Sequence, residues 1–239
     1  MFVEFVGSPG AGKTTIMKRL GELLQDTQLP LVSFDEYQRM NRKFGEKSIM
    51  KKWRFARWIA LAPLCWRRPK LMAGVTLLAL MHGRPMLRRV RKAQKVLAHV
   101  MFVERLQARY PEKIVAHHDG FTQCLWSMLI DSRALRGRRM IQSIMRDYYG
   151  EFQPLLVALE ADDALVTSRV FARTSRGRFN ENSSEVRRAE FGHWLEYHRE
   201  LMSFLPRDLN IYRFDASAPS DTVARLVLDA LAKAQERPP

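Results

Sequence analysis

The sequence of 239 residues has little cysteine and no long apolar run. Its two cysteines, Cys65 and Cys124, form no CxxC pair and match no metal-ligand spacing, which argues against a disulfide scaffold or a zinc site. The longest apolar run, 71–81, is shorter than the ~20 residues that span a bilayer. The first glycine-rich segment starts at Gly7, so we expect no cleavable leader. These absences predict a cytoplasmic protein with reduced thiols.

Acidic residues are nearly missing from one stretch, 39–109. This stretch has 19 Lys+Arg and only two acidic residues, Glu46 and Glu104, in a chain of net charge +15. The remainder is therefore close to neutral. The stretch predicts a basic helical insertion, with breaks near three prolines: Pro63, Pro69 and Pro85.

Short apolar runs alternate with amphipathic segments along the rest of the chain. The predicted strands are 2–6, 29–34, 113–118, 154–160 and 210–214. Strands that alternate with helices favour a parallel sheet covered on both faces. We predict an α/β fold with five parallel strands in three layers, a single domain over 1–239, and the insertion 39–109 within it.

The segment that follows the first predicted strand reads GSPGAGKTT and fits the P-loop pattern GxxxxGK[ST]. Such a loop wraps phosphates with inward-facing backbone N–H groups at the start of a helix. Lys13 is expected to reach the β- and γ-phosphates, and the Thr14 hydroxyl to ligate Mg²⁺. The pattern predicts ATP and Mg²⁺ as cofactors, held by Gly7, Ser8, Pro9, Gly10, Ala11, Gly12, Lys13, Thr14 and Thr15.

Carboxylates are expected at the ends of two further strands. Asp35 and Glu36 follow the second predicted strand, and Asp119 follows the third. Ligands of open parallel sheets bind at this edge. One carboxylate, with Asp119 favoured, would help hold Mg²⁺, and another would orient the attacking hydroxyl or accept its proton. His117 and His118 are interpreted as strand residues, because no third metal ligand has suitable spacing.

An arginine cluster follows the fourth predicted strand. Arg169 and Arg173 are four residues apart on a predicted helix, and Arg176 and Arg178 follow them closely. Arginines carried by a closing loop stabilise the charge that phosphoryl transfer spreads over the equatorial oxygens. We therefore expect a lid, with Arg173 and Arg176 as its catalytic residues.

Taken in order, these segments resemble the nucleoside monophosphate kinases, and thymidylate kinase most closely. The resemblance is carried by the P-loop, Asp35-Glu36, Asp119-Gly120-Phe121, the lid and the turn Asp215-Ala216-Ser217. It implies a P-loop NTPase fold with strand order 2-3-1-4-5. It also implies that the turn lies near the adenine ring, with Arg169, Asp215 and Ala216 binding the nucleotide.

The chain departs from the pattern of these families at Asp35-Glu36-Tyr37, where thymidylate kinases have Arg-Glu-Pro, and at two further positions. Gly120 stands where thymidylate kinases carry arginine, and Gln123 stands where adenylate kinases carry one. Those arginines hold the acceptor phosphate in the families concerned. The resemblance therefore supports phosphoryl transfer without naming the acceptor.

Three functions are compatible with the sequence. The first is Mg²⁺-dependent transfer of the γ-phosphate of ATP to a nucleotide or another small, anionic acceptor. The second is a kinase of a cell-envelope sugar or lipid-linked precursor, and the third is a P-loop NTPase switch without a small-molecule acceptor.

The basic stretch 39–109 leaves its own alternatives open. It could form the acceptor pocket, or lie peripherally on the anionic inner face of a membrane, with Trp53, Trp58 and Trp66 among its charges. Nucleic acid is less favoured, because no recognised binding motif is present. A homodimer is also compatible with the sequence.

Overall fold

A computed structural model describes residues 1–25, 31–33, 56–82, 86–130, 136–172 and 185–235. Several residues singled out above lie outside these ranges: Asp35, Glu36, Trp53, Pro85, Arg173, Arg176 and Arg178. Trp58 lies within a helix, but its side chain is not described.

The centre of the molecule is a parallel sheet with strand order β2-β3-β1-β4-β5. Its strands are β1 (Phe2–Val6), β2 (Leu31–Ser33), β3 (Ile114–His117), β4 (Leu155–Glu160) and β5 (Ile211–Asp215). Four strands of four to six residues form the body of the sheet, and β2, with three residues, adds an edge. The order is the one that the resemblance implied.

Helices occupy most of the remaining described chain. They are α1 (Lys13–Gln25), α2 (Ala56–Arg67), α3 (Pro69–Met81), α4 (Met86–Arg109), α5 (Phe121–Leu129), α6 (Arg138–Phe152), α7 (Asp163–Phe171), α8 (Glu185–Ser203) and α9 (Ser220–Gln235).

The two faces of the sheet pack against different helices, because successive strand residues point to opposite sides. On β1, Val3 and Phe5 join a core with Leu20 of α1 and Val227 of α9. Phe2 and Val6 join the other core. That second core contains buried residues from α2, α3, α4, α5 and α6, including Leu61, Leu78, Leu97, Leu125 and Tyr148. The result is a three-layer arrangement.

The described helices of the basic stretch contribute to this second core. Leu71, Val75 and Leu78 of α3 are at most 2% exposed. Arg68, between α2 and α3, donates to Glu104 at 2.8 Å and to Glu151 at 2.6 Å, which ties α4 and α6 to it. Within the described ranges, no helix is both long enough and apolar enough to cross a bilayer.

The expectation that the chain breaks near Pro63 is wrong. Pro63 lies inside α2, whereas Pro69 is the first residue of α3, where its missing N–H costs no helical bond. A proline inside a helix costs about 3 kcal/mol. Burial of Leu61 and Leu64 on either side of Pro63 offsets this cost.

Candidate active site

The loop between β1 and α1 has the backbone that a phosphate-binding loop requires. Gly7 and Gly10 have φ angles of +146° and +94°, a region that residues with a β-carbon rarely adopt. A β-carbon on Gly7 would lie 2.6 Å from the Leu159 carbonyl oxygen, and one on Gly10 would lie 2.8 Å from Cγ2 of Val170. Glycine is therefore needed here both for its backbone freedom and for its small size.

Lys13 is held inside this loop. Its Nζ donates to the carbonyl of Gly7 at 2.6 Å and to the carbonyl of Ser8 at 3.0 Å, and the residue is 8% exposed. The amine therefore lies among the loop residues, held by two of their carbonyls.

His198 of α8 reaches the same loop from outside the motif. It is 5% exposed, and its ring stands edge-on to Trp126 with centroids 6.4 Å apart. Burial, with a smaller contribution from the charge of Lys13, lowers its pKa to about 3, although a hydrogen bond to the Gly7 backbone raises it. Because this bond favours the protonated ring, the ring is the donor and the Gly7 carbonyl is the acceptor.

Sequence reasoning did not find His198. The sequence does indicate that His198 is buried, because it lies at helical spacing from a set of apolar residues on one face of α8: Phe191, Trp194, Leu195 and Leu201. A histidine on an apolar helix face is usually a core residue, and the sequence alone does not show that this face meets the P-loop.

A cleft of about 600 Å³ lies beside the P-loop. It brings together the P-loop, α7 and the turn after β5: Gly10, Ala11, Gly12, Thr15, Ile16, Arg169, Ala172, Ala216, Ser217, Ala218, Pro219 and Ser220. The cleft thus unites three segments that the sequence assigned to nucleotide binding.

Arg169 fixes the turn relative to α7. Its guanidinium donates to the Ala216 carbonyl at 3.0 Å. Asp215 acts within its own turn, since its carboxylate accepts from the Ser217 N–H and hydroxyl, both at 2.8 Å. These bonds with Ser217 lower the pKa of Asp215. Asp215 therefore shapes the turn that presents Ala216 to the cleft.

Asp119 lies at the carboxyl edge of the sheet, next to the P-loop. Strands β1 and β3 are parallel neighbours with Glu4 paired to His117, so Asp119 leaves the sheet beside the start of the loop. Its side chain is exposed, as is that of Thr14. Mg²⁺ takes few protein oxygens and keeps waters and substrate phosphates. A hydroxyl and a carboxylate at this edge fit that preference, and the described residues contain no cluster of three or more His, Cys, Asp or Glu side chains suited to a metal.

His117, two residues before Asp119, is uncharged and structural. His117, the last residue of β3, is 2% exposed, and its Nδ1 accepts from the Asp119 N–H at 3.0 Å. Burial lowers the pKa of His117 well below its usual value and that of His99 to about 3. The two rings meet edge-on at 4.8 Å, and His99 also contacts the Tyr148 hydroxyl at 3.2 Å. His117 therefore helps position the Asp119 backbone.

Glu4 is a buried carboxylate that sequence reasoning passed over. It is fully buried beneath the start of α5, where Oε1 accepts from the Thr122 N–H at 3.3 Å and from the Tyr149 hydroxyl at 2.9 Å. Burial raises its pKa to about 7, although these hydrogen bonds lower it. The sequence does offer one indication, since Glu4 is a charged residue in the otherwise apolar run FVEFV, and charged residues are uncommon in buried strands.

Three buried polar atoms surround the start of α5 without a hydrogen-bond partner within the described part of the chain. They are Glu4 Oε2, His118 Nδ1 and Gln123 Oε1. Native proteins leave few buried polar atoms unsatisfied. Hydrogen-bonding capacity is therefore left unused among the described residues next to Asp119.

Comparison with known proteins finds likeness in structure. No protein-family model and no curated protein sequence matches the chain significantly. Deoxyadenosine kinase from M. mycoides, solved with dCMP and a flexible dCDP, superposes with TM-score 0.52 at 12% identity, covering 98% of this chain and 100% of that one. The same enzyme with bound dATP gives TM-score 0.51 at 11% identity, covering 97% and 100%. The chain therefore has an α/β fold with a parallel sheet like that of these kinases.

Proposed function

We propose that the chain transfers the γ-phosphate of ATP to a hydroxyl of a small acceptor bound beside Asp119. The observation that carries this proposal is the P-loop itself, with Lys13 held inside it and the cleft lined by Arg169 and Ala216 beside it. The triphosphate would lie in the loop and the base in the cleft.

The protein's own residues would act by positioning and by charge. On nucleotide binding, Lys13 would exchange the carbonyls of Gly7 and Ser8 for phosphate oxygens, which are stronger acceptors. The α1 N-terminus favours the same anion. Thr14 and Asp119 would hold Mg²⁺, which supplies positive charge against the phosphates. Asp35 or Glu36, and the lid arginines Arg173 and Arg176, stay proposals drawn from the sequence.

The acceptor side favours a nucleoside over a nucleoside monophosphate. A β-carbon on residue 120 would overlap the Glu4 carboxylate, so the arginine of thymidylate kinases has no room here. Gln123 likewise replaces an arginine with an amide. His118 Nδ1 and Gln123 Oε1 are suited to the neutral hydrogen-bonding edge of a base or sugar. The neighbour deoxyadenosine kinase, by its name, acts on a nucleoside. A small anionic acceptor, suggested by the charge of 39–109, stays a prediction.

The test is a transfer assay with ATP labelled at the γ-phosphate. The purified chain is incubated with Mg²⁺ and nucleosides, nucleoside monophosphates or phosphosugars, and labelled acceptor is separated from inorganic phosphate. We expect stoichiometric label on a nucleoside, and loss of transfer by about 10²-fold or more in Lys13→Ala. Release of inorganic phosphate alone would instead identify an NTPase switch, and equal turnover in Lys13→Ala would refute the P-loop assignment.

A further inference from the structure

Large exposed apolar side chains are concentrated in one part of the described chain. Trp66 is 90% exposed, Leu77 is 50% exposed, and Leu80 and Met81 are each 42% exposed. Only one other large apolar side chain in the described ranges, Leu226 on α9, is comparably exposed. Single exposed apolar residues are ordinary, but a contiguous group marks an interaction site.

On α3 these side chains share one face. With 3.6 residues per turn, Lys70, Ala73, Leu77 and Met81 fall on one side of the helix, over a length of about 16 Å. The buried residues Leu71, Val75 and Leu78 fall on a separate side, about 120° around the helix axis. The helix is thus apolar towards solvent as well as towards the core, and helices apolar all round are normally covered.

Cations lie at both ends of this face. Lys70 begins it, close in the chain to Trp66. At the other end, Met81 Cε lies 3.4 Å from the position of a β-carbon on Gly137, and three exposed arginines adjoin that glycine: Arg136, Arg138 and Arg139. Arg138 is paired with Glu200 at 2.7 Å. The apolar face therefore has a basic rim.

We propose that this apolar face, together with Trp66 and its basic rim, docks on the surface of an anionic lipid bilayer. Apolar side chains would enter the boundary between headgroups and acyl chains, and the rim would pair with lipid phosphates. A second copy of the chain would bring the same basic rim against itself, which charge repulsion opposes. The phosphate backbone of a nucleic acid would pair with the rim and leave Leu77 and Met81 in water. Charge and apolarity together thus favour the bilayer.

Vesicle binding tests this inference without nucleotide, so its outcome is independent of phosphoryl transfer. The full chain is sedimented with vesicles of phosphatidylcholine alone, or with 30% phosphatidylglycerol, at about 0.1 M and about 1 M salt. We expect binding to the acidic vesicles at low salt only. Brominated lipid should quench the fluorescence of Trp66, so the quenched fraction should fall in Trp66→Phe.

Two matched substitutions separate the surface from general effects. Leu77→Asp should weaken binding to acidic vesicles by at least about tenfold, because an apolar anchor is lost and a repulsive charge is added. Leu226→Asp, the same change at an equally exposed site on α9, should bind as the wild type does. The proposal is overturned by absence of binding at low salt or by equal loss in both variants. It is also overturned if Leu77→Asp changes only self-association in size-exclusion chromatography, or only binding to nucleic acid.

Discussion

The carboxylate of Glu4 occupies the space that a β-carbon on residue 120 would need. Gly120 has φ −56°, which any residue can adopt, so packing and not backbone strain requires glycine here. Glycine is therefore required at position 120 as long as Glu4 lies beneath it and accepts a hydrogen bond from the N-terminal turn of α5.

Substitution at Gly120 should therefore destabilise the fold through overpacking. Gly120→Ala is expected to lower the free energy of unfolding by about 1–3 kcal/mol in urea denaturation. Gly150→Ala is the control, because Gly150 lies within α6 and a β-carbon there meets nothing within 4 Å. That change should be neutral or stabilising by up to about 1 kcal/mol. Equal effects of the two substitutions would contradict the packing argument.

Glu4 should make the stability of the protein depend on pH. Burial raises its pKa to about 7, whereas an unfolded glutamate titrates near 4.5, so between these values the folded state binds the extra proton. This contribution is present at low pH and is lost as the pH rises through 7. Glu4→Gln removes the titration. Its free energy of unfolding relative to the wild type should rise by about 2 kcal/mol between pH 5 and pH 8. A constant difference across that range would show that Glu4 does not titrate there.

His198 should affect nucleotide binding without touching the nucleotide. When Lys13 moves to the phosphates, His198 still donates to the Gly7 carbonyl, which would otherwise lose a buried partner. His198→Phe should weaken ATP binding by about fivefold to tenfold in calorimetry and change kcat less, whereas His198→Gln, which keeps a donor, should restore part of the affinity. His193→Phe, an exposed site on the same helix, is the control.

The same variant should differ in its response to acid. Since the pKa of His198 is about 3 in the folded protein and near 6.5 in the unfolded chain, the unfolded state takes up a proton between these values. The stability present above pH 6.5 is lost as the pH falls. Between pH 7 and pH 5 the free energy of unfolding, measured by thermal unfolding, should fall by about 2 kcal/mol more in the wild type than in His198→Phe. If the stability of the wild type and of His198→Phe changed equally with pH, the His198 ring would be exposed to solvent and not buried.

The lid arginines should act on the transition state. Arg173→Ala and Arg176→Ala are each compared with the wild type for kcat and for the dissociation constant of ATP. At least one should lower kcat by about 10³-fold with little loss of ATP affinity, because the contact strengthens as charge develops. Arg225→Ala, an exposed arginine on α9, controls for loss of charge. Loss of affinity alone in both variants would assign these arginines to nucleotide binding.

Local pattern was enough to predict the elements around the P-loop. The run before Gly7 and the helix after it follow from apolar periodicity, and the strand order came from a resemblance spread along the chain. Boundaries differed by about one residue, as with β3, where a predicted run of 113–118 narrows to Ile114–His117.

The residues that the sequence missed depend on tertiary packing. Glu4 matters because α5 begins above it, and His198 matters because α8 returns to the P-loop; neither contact follows from spacing along the chain. Pro63 failed as a helix breaker for the same reason, since buried neighbours outweigh a local propensity. The acceptor could not be predicted from the sequence, because Gly120 and Gln123 show which family arginines are missing but not which molecule binds instead.

The position of β1 in the middle of the sheet has a consequence for how the protein folds. Val3 pairs with Ala116 on one side and with Leu155 on the other, so the central strand joins partners that are distant in the chain. The chain must lose the entropy of closing these long loops before the stabilising strand contacts can form. This requirement slows the folding of parallel sheets. During synthesis the run FVEFV must wait, apolar and unpaired, until both partners have left the ribosome. Glu4 is charged while the strand is still in water and becomes buried only once α5 packs above it, so it places a solubilising residue within an apolar strand.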